Sequence, residues 1–419
     1  MRQVRVGGGE HAERMTTDSI TVISGRQSRT PTSDAPARGS SWIGVVALMI
    51  GVFSLVTSEF LPASLLSPIA TGLNISEGTA GQAVTATALI GIFAGPTIGM
   101  IFPRLDRRML LVGLAVLATV SNVLVAVAPQ FWLLLIARLL LGAAIAGLWS
   151  MALAVSAQLV APEHLGRAMM IVNTGVSVAT VAAVPLGAYL GSLWDWRTVF
   201  LLAAGVTLLA AIALAVWLPR IAPAQGSGPR TLLATLRSPV MVAGLIGIVL
   251  LVGGHFSGFT YIRLGAADVP GLTTGGLALL LAAFGVGGFF GNIAAGIVAD
   301  RWLRLALIGL PALLGVSIIT FGLASSSITV VFTAAVTWGF AFGGIPTTVQ
   351  TWAARVEPDR MEPAGGLVVA GFQLAITLGA ATGGALVDGI GVTETFVIGG
   401  VVAILGGAVL GLARQRRVR

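Results

Sequence analysis

The sequence contains no cysteine and no lysine, and it has few charged residues for a chain of its length. Charged residues make up 10% of the 419 positions, and all 24 basic residues are arginine. Because no thiol is present, disulfide bonds, thiolate metal ligands and cysteine nucleophiles are excluded. The net charge of +8 does not indicate a nucleic-acid partner, because most of the arginines lie in the tails and in short gaps between apolar runs.

Apolar runs fill most of the chain, and hydrophobic residues make up 56% of it. This composition excludes an ordinary soluble domain. A helix that crosses a bilayer needs about 20 apolar residues. Spans of this kind are predicted at residues 42–66, 80–102, 109–128, 131–157, 166–192, 198–218, 240–264, 272–298, 305–323, 328–353, 364–387 and 395–413. The sequence therefore predicts an all-α membrane protein with twelve transmembrane helices.

The longest internal loop divides the predicted spans into two sets of six. We expect a tail of residues 1–40, a six-helix bundle over 41–219, a linker over 220–238, a second six-helix bundle over 239–413, and a basic tail of 414–419. The first tail is rich in glycine, serine, threonine and arginine and has no apolar period, which is typical of disorder. The two bundles are expected to be pseudo-symmetric.

Arginine is unevenly distributed between the two sides of the predicted spans. Alternate gaps collect most of the internal arginines, whereas the opposite side holds only Arg197, in a gap, and Arg263, at the end of a predicted span. Positive residues favour the cytoplasmic side of a membrane, so the arginine-rich gaps are predicted to face the cytoplasm. An even number of spans then places both termini in the cytoplasm.

Two similar segments follow the second span of each set. They read GMIFPRLDRR (99–108) and GIVADRWLR (296–304). Two parallel six-helix repeats with a binding site between them near the midplane form a known transporter architecture. The candidate residues of this repeated loop are Gly99, Arg104, Asp106, Arg107, Gly296, Asp300 and Arg301.

These segments resemble the major facilitator superfamily of transporters. The second segment fits that superfamily's loop motif, Gly-x-x-x-Asp-Arg, with Asp300 and Arg301. The first segment departs from it, because Pro103 stands where the acid is expected and Asp106 comes three residues later. The resemblance implies two six-helix bundles and a role for both loops in conformational change.

Two further spans carry features of the proton-coupled antiporter branch. In the fourth span Arg138 and Gly142 match the pattern of that branch, and in the fifth span VPLGAYLG resembles the antiporter motif through Pro185 and Gly187. The segment DWRTVF (195–200) is typical of the arabinose-exporter-like drug:proton antiporters. The resemblance implies that Gly142, Pro185 and Gly187 serve helix packing.

The segment 58–88 resembles the purine ribonucleoside efflux family of enteric bacteria, and FTYIR (259–263) and the span that contains Gln373 support this. The resemblance implies export of inosine- or guanosine-like solutes in exchange for protons, by alternating access. It implies a monomer in the bacterial cytoplasmic (inner) membrane, with no cofactor, no metal and no enzymatic activity. The main alternative is a broad multidrug or sugar efflux antiporter. A non-transporting membrane sensor and an intramembrane enzyme are more distant alternatives.

Glu59 is the only acidic residue inside a predicted span. A carboxylate at membrane depth is costly and indicates function, so we interpret Glu59 as the proton-coupling group. Arg138 lies at a similar estimated depth, roughly 12–13 Å below the outer end, and a buried arginine needs a partner. We therefore interpret Arg138 as the second proton-coupling residue, which is freed when Glu59 is protonated or when solute displaces the contact between them. The alternatives are a structural hydrogen bond for Glu59 and a permanent ion pair between the two. The carboxylates of RVEPDRMEP (355–363) are expected to be solvated.

Four other polar or aromatic residues inside spans are candidates for solute binding. Trp149 follows Arg138 by eleven residues, close to three helical turns, so both project from one face and the indole could stack on a flat base. His255, Gln373 and Asn173 could bond base edges or ribose hydroxyls. The alternatives are a packed indole at a helix interface, a satisfied core histidine, and amides that bond neighbouring backbones.

Overall fold

The computed structural model describes residues 41–223, 228–267, 269–323 and 327–413, and the predicted tails 1–40 and 414–419 lie outside these ranges. All regular structure in the described ranges is helical. The α-helices are α1 (Trp42–Ser64), α2 (Leu66–Leu73), α3 (Glu77–Ile101), α4 (Arg107–Val127), α5 (Phe131–Leu159), α6 (Leu165–Leu193), α7 (Trp196–Trp217), α8 (Pro229–Leu236), α9 (Pro239–Phe259), α10 (Ile262–Ala267), α11 (Thr274–Leu323), α12 (Ile328–Val356), α13 (Met361–Ile390) and α14 (Val392–Leu412). Two 3₁₀ turns lie at Pro162–His164 and Pro358–Arg360.

Polar residues in the gaps start several of these helices. The Ser76 hydroxyl accepts the Thr79 N–H at 3.1 Å at the start of α3. The Asp106 carboxylate accepts the Arg108 N–H at 2.9 Å at the start of α4. Each bond satisfies one of the N–H groups that the first helical turn leaves without a partner. The helices therefore begin where the apolar runs of the sequence begin.

Ten of the described helices are long and apolar enough to cross a membrane. One of them, α11, has 50 residues, or about 75 Å of helix, which is more than twice the ~30 Å hydrocarbon core. Its only non-helical residue is Trp302 (φ −129°, ψ 50°), so the two spans predicted at 272–298 and 305–323 join through a kink rather than an open loop. The all-α membrane fold is confirmed, and the count of twelve spans stays a prediction.

One end of the molecule gathers the arginine-rich gaps, and we call it the Arg-rich side. Backbone and indole bonds connect helix ends there. The Ser41 N–H donates to the Leu159 carbonyl and the Arg107 N–H donates to the Ile221 carbonyl, at 2.8 and 2.9 Å. The Trp352 indole N–H donates to the Ala413 carbonyl at 2.9 Å. The start of α1 and the end of α14 therefore lie on the Arg-rich side, and the position of the two tails stays a prediction.

Residues 41–217 are called the N-half below, and residues 239–413 the C-half. All the described residues fall in one compact unit, so the division into two bundles stays a prediction. The halves approach closely at glycines. A Cβ added at Gly366 would lie 2.6 Å from the Gly95 carbonyl, and one added at Gly365 would lie 2.5 Å from the Ser150 carbonyl. Both places lie in the portions of the helices nearest the Arg-rich side, where the halves are packed together.

Within the C-half, α11 and α12 pack backbone against backbone. A Cβ at Gly291 would overlap the Phe340 carbonyl oxygen, and one at Gly339 would overlap the Phe284 carbonyl oxygen. Small residues of this kind let helices in a membrane come close enough for extensive van der Waals contact. The abundant glycine of the sequence is therefore used for helix packing.

Candidate functional site

Arg138 on α5 is held by the backbone of α1, at a place where a proline has freed a carbonyl. Pro62 lies inside α1; it has no N–H, so the carbonyl of Ser58, four residues earlier, loses its helical partner. The Arg138 guanidinium donates to the Ser58 carbonyl at 3.0 Å and to the Glu59 carbonyl at 3.1 Å. Its Nε donates to the Ala83 carbonyl of α3 at 3.4 Å. The buried cation is therefore satisfied by peptide oxygens.

Glu59 and Arg138 are neighbours, as the depth estimate predicted, but their side chains do not form an ion pair. The Glu59 side chain is partly buried. Among the residues whose side chains the structure describes, no hydrogen bond or ion pair reaches its carboxylate. The alternative of a permanent ion pair is not the arrangement in this structure. The roles of the two residues stay predictions.

Two more polar side chains lie beside Glu59 and Arg138: Ser58 of α1 and Asn122 of α4. The Ser58 hydroxyl donates to the Ser54 carbonyl at 3.0 Å and accepts from the Asn122 amide at 2.9 Å. Asn122 is fully buried, and its Oδ1 has no hydrogen-bond partner in the described part of the chain. The sequence analysis missed Asn122, although a single amide within an apolar run was the available signal. Polar groups of α1, α4 and α5 thus converge beside Glu59.

His255 lies inside an aromatic cluster of the C-half. Its ring stacks on Phe342 at 3.6 Å and on Phe259 at 5.2 Å between ring centroids. The Trp338 indole donates to its Nδ1 at 2.9 Å, so the neutral imidazole carries its proton on Nε2. Only 1% of the residue is exposed. A solute would contact His255 only after these rings move, and its predicted solute contact stays a prediction.

The other three predicted solute contacts are spread over both halves. Trp149 is partly buried and packs against the main hydrophobic cluster. Gln373 reaches from the C-half to the N-half, since a Cβ at Gly91 would lie 2.7 Å from its Nε2. Asn173 donates to the Thr347 hydroxyl of the C-half at 2.8 Å. No hydrogen bond or ring contact among the described residues joins these side chains to Glu59 or Arg138.

The first loop motif binds the C-half through a buried ion pair. Arg107 is fully buried, and its Nε and Nη2 donate to the two Glu362 carboxylate oxygens at 2.6 Å each. Glu362 lies in the first turn of α13, where the helix dipole favours a negative charge. Such two-point pairs are among the strongest hydrogen bonds in proteins.

The expectation that the acids of 355–363 are solvated was wrong for two of them. Glu362 and Glu357 are only 3% and 2% exposed. Glu362 is buried because Arg107 binds it, and Glu357 pairs with Arg360 at 2.6 Å. The sequence placed these acids in a gap between spans, but it did not show that the N-half covers the start of α13.

The second loop motif binds the N-half through backbone groups. The Asp300 carboxylate accepts the Gly166 N–H at 2.6 Å and the Arg167 N–H at 3.3 Å, and so caps the start of α6. Arg355 donates to the Ala299 and Asp300 carbonyls at 2.8 Å. Each half therefore inserts one loop group into a helix start of the other half.

The remaining motif residues have simpler surroundings. Arg104 and Arg301 are exposed, and Asp106 caps α4. A Cβ at Gly99 would lie 3.4 Å from the Glu362 carboxylate, and one at Gly296 would overlap Met170. A Cβ at Gly142 would overlap the Thr87 carbonyl, and one at Gly187 would overlap the Ser64 hydroxyl. Pro185 lies within α6, and its side chain is outside those described.

The sequence profile of the Major Facilitator Superfamily matches residues 48–362 and 271–419. The chain belongs to this superfamily. It is therefore a multi-pass membrane transporter for small-molecule solutes, a class whose members in general are not enzymes.

Known proteins similar to this transporter agree with that assignment. The "Purine ribonucleoside efflux pump NepI" of Shigella dysenteriae is 38% identical over 365 residues, which cover 87% of this chain and 93% of the pump. Among solved structures, the transporter FucP, described as in the outward conformation, has a TM-score of 0.72 at 17% identity, covering 88% of this chain and 99% of FucP. The proton:xylose symporter XylE has a TM-score of 0.71 at 16% identity, covering 88% of this chain and 94% of XylE. The two structures share the fold.

Proposed function

We propose that this transporter exports purine ribonucleosides in exchange for protons, by alternating access across the bacterial inner membrane. The observation that carries the solute class is the 38% identity to a purine ribonucleoside efflux pump over most of both chains. In this proposal the protein acts as a monomer, and the Arg-rich side, with both termini, faces the cytoplasm. The packed Arg-rich side then corresponds to a state that is closed toward the cytoplasm.

Glu59 is the proposed site of proton uptake and release. A carboxylate at membrane depth is expected to bind a partner, yet the carboxylate of Glu59 is free of hydrogen bonds and ion pairs to the described side chains. Its free oxygens can take a proton without breaking an existing bond. An inward-moving proton provides about 2.3 kcal/mol per 100 mV of membrane potential, provided that Glu59 faces one side of the membrane at a time.

Arg138 tolerates both protonation states of Glu59 because peptide carbonyls hold it. Its donors bond the Ser58, Glu59 and Ala83 carbonyls. Loss of the Glu59 charge therefore weakens a Coulomb attraction but leaves no guanidinium N–H newly without a partner. A direct ion pair would instead strand a buried charge each time Glu59 is protonated, at a cost of several kcal/mol. The arrangement suits a residue that positions a proton carrier.

The contacts at the Arg-rich side are the proposed gate. When that side opens, the Arg107–Glu362 pair and the Asp300 cap on α6 have to break, since each joins the N-half to the C-half. Solute and proton binding would then differ in affinity between the closed and open states. A ligand shifts such an equilibrium only by that difference.

Counterflow in proteoliposomes tests the function. Purified protein is reconstituted in separate sets of proteoliposomes, each loaded with one unlabelled compound: inosine, guanosine, a sugar or a lipophilic cation. Uptake of the same compound in labelled form is then compared between the sets. We expect exchange of inosine and guanosine, and inosine accumulation when a pH gradient is imposed. Exchange of sugars or cations with no exchange of nucleosides would assign the protein to the multidrug or sugar exporters instead.

A further inference from the structure

A chain of hydrogen bonds near the middle of the molecule joins the two halves. The Asn173 amide on α6 donates to the Thr347 hydroxyl on α12 at 2.8 Å. That hydroxyl donates to the Asn292 Oδ1 on α11 at 2.7 Å. The Asn292 amide returns to α6, where it donates to the Met170 carbonyl at 2.9 Å. The bonds therefore close a circuit between one helix of the N-half and two helices of the C-half.

The three side chains are hidden from solvent and lie far from the loop contacts. Their exposed fractions are 4% for Asn173, 1% for Asn292 and 0% for Thr347. Each lies about eight to ten residues from the Arg-rich end of its helix segment, which is roughly 12–15 Å along the axis. This depth is close to the centre of a ~30 Å hydrocarbon core.

We propose that Asn173, Thr347 and Asn292 form a midplane latch that holds the Arg-rich side of the transporter closed. In the closed state these groups are buried, and their mutual bonds replace water at the Asn173 amide N–H, the Thr347 hydroxyl and the Asn292 amide, while the Asn173 Oδ1 has no partner among the described residues. In the open state α6 separates from α11 and α12, and the same groups face the water of the cleft. The bonds therefore stabilise one state and not the other, which is the condition for shifting a conformational equilibrium.

The latch differs in chemistry from the loop contacts. It consists of amides and a hydroxyl, whereas the loops use Arg107 with Glu362 and the Asp300 carboxylate. Asn173 is therefore assigned to closing the halves rather than to the solute. The inference requires only that the halves part, so it does not depend on which solute is carried or on proton coupling.

Thiol labelling of the full-length protein measures the opening directly, because the chain has no cysteine of its own. Ser150 is fully buried where α5 meets α13. Its hydroxyl donates to the Gly147 carbonyl of its own helix at 2.9 Å and has no other hydrogen-bond partner among the described residues. Ser150→Cys therefore places a single thiol that reacts with a maleimide when the halves separate. When reclosing is faster than reaction, the labelling rate follows the population of the open state.

Thr347→Val in the Ser150→Cys background removes the hydroxyl that bonds both asparagines. The buried side-chain amides of Asn173 and Asn292 each lose this hydrogen-bond partner. We expect the labelling rate to rise by about ten-fold. Thr348→Val is the matched control: Thr348 is also buried, but its hydroxyl donates to the Gly344 carbonyl of its own helix at 2.8 Å. That variant should stay within about two-fold of the parent, since a bond within one helix survives opening.

A second variant separates the latch from a folding defect. Asn292→Ala should raise the labelling rate by a similar factor. In the Thr347→Val/Asn292→Ala double variant, the increase in labelling rate should be far smaller than the product of the two single increases, because both changes break the same set of hydrogen bonds. Circular dichroism and gel filtration establish that each variant is folded. Equal labelling of Thr347→Val and Thr348→Val, or fully multiplicative effects in the double variant, would overturn the proposal. Neither result depends on nucleoside transport, which the counterflow experiment tests separately.

Discussion

At the scale of single residues, the Glu59 carboxylate, which no described side chain binds, has a direct consequence for energy coupling. Glu59→Gln keeps the size and polarity of the side chain but cannot carry a proton. We expect loss of pH-driven inosine accumulation with exchange partly retained, because exchange needs no net proton movement. Uptake in proteoliposomes with and without a pH gradient measures both. Glu163→Gln, an exposed loop acid, is the control, and normal accumulation in Glu59→Gln would remove Glu59 from the coupling mechanism.

Arg138 and Pro62 provide a second residue-scale prediction. Pro62→Ala restores an N–H that can bond the Ser58 carbonyl, so this carbonyl depends less on Arg138. Arg138→Ala should therefore lower the thermal unfolding temperature less in the Pro62→Ala background than in the wild type. Pro96→Ala, which changes a proline inside α3 instead, should leave the effect of Arg138→Ala unchanged. Equal losses in all three backgrounds would show that the proline and the arginine are not coupled.

The sequence identified Glu59 and Arg138 and their similar depth. It did not show that the Arg138 guanidinium bonds the backbone carbonyl of Glu59. Depth follows from counting residues at 1.5 Å each, whereas the partner of a long side chain depends on which carbonyls are free. Pro62 was the available signal, since it frees the carbonyl four residues earlier. For His255 no comparable signal existed, because the rings around it come from α9, α11 and α12.

At the scale of helices, the close packing of α11 on α12 predicts a strong effect of one methyl group. Gly291→Ala would place a Cβ against the Phe340 carbonyl oxygen, a backbone atom that cannot rotate away. We expect destabilisation of about 1–3 kcal/mol or more, seen as a lower thermal unfolding temperature of the purified protein. Gly309→Ala, in the same helix with no atom within 4 Å of the added Cβ, should change little. A Gly291→Ala protein as stable as the control would contradict the observed helix spacing.

Helix positions were largely readable from the sequence, because apolar runs of bilayer length have few alternatives to helix. The predicted spans 109–128 and 198–218 correspond to α4 (Arg107–Val127) and α7 (Trp196–Trp217) within two residues. The gap at 299–304 was different. Its charged residues indicated a loop, but the helix continues to a kink at Trp302. The Asp300 carboxylate, just before the kink, accepts a backbone N–H at the start of α6. The contact of Asp300 with α6 joins residues far apart in the chain, so a local sequence pattern could not predict the structure of this gap.

At the scale of the whole molecule, the Arg107–Glu362 pair should control opening of the Arg-rich side. Glu362→Gln removes the carboxylate charge that faces the buried Arg107, and breaking a buried ion pair typically costs about 3–5 kcal/mol. The cost falls on the closed state, so the Ser150→Cys labelling rate should rise strongly. Glu357→Gln breaks a pair within the C-half, with Arg360, and should leave that rate nearly unchanged. No increase in Glu362→Gln would show that this pair does not hold the halves together.

Such contacts between the halves could not be predicted from a single sequence. A repeated loop motif shows that two segments are related, but it does not show what each binds. The missing acid at Pro103 made the first loop look incomplete. In the structure another residue of this loop, Arg107, pairs with a carboxylate of the other half, Glu362. The packed side of a transporter also depends on its conformational state, which composition and periodicity do not encode.

Arg107 and Glu362 lie on opposite halves, so each half carries a buried charge that is complementary to a charge on the other half. If residues up to the linker and residues after it were expressed as two polypeptides, partner choice would depend on these charges. Halves carrying Arg107→Glu and Glu362→Arg should co-purify with each other, and poorly with unmodified halves, because a mixed pair buries two like charges. If modified and unmodified halves co-purified equally well in all combinations, assembly would depend on other surfaces. A single ion pair would thus give the two halves, expressed as separate polypeptides, a pairing specificity of their own.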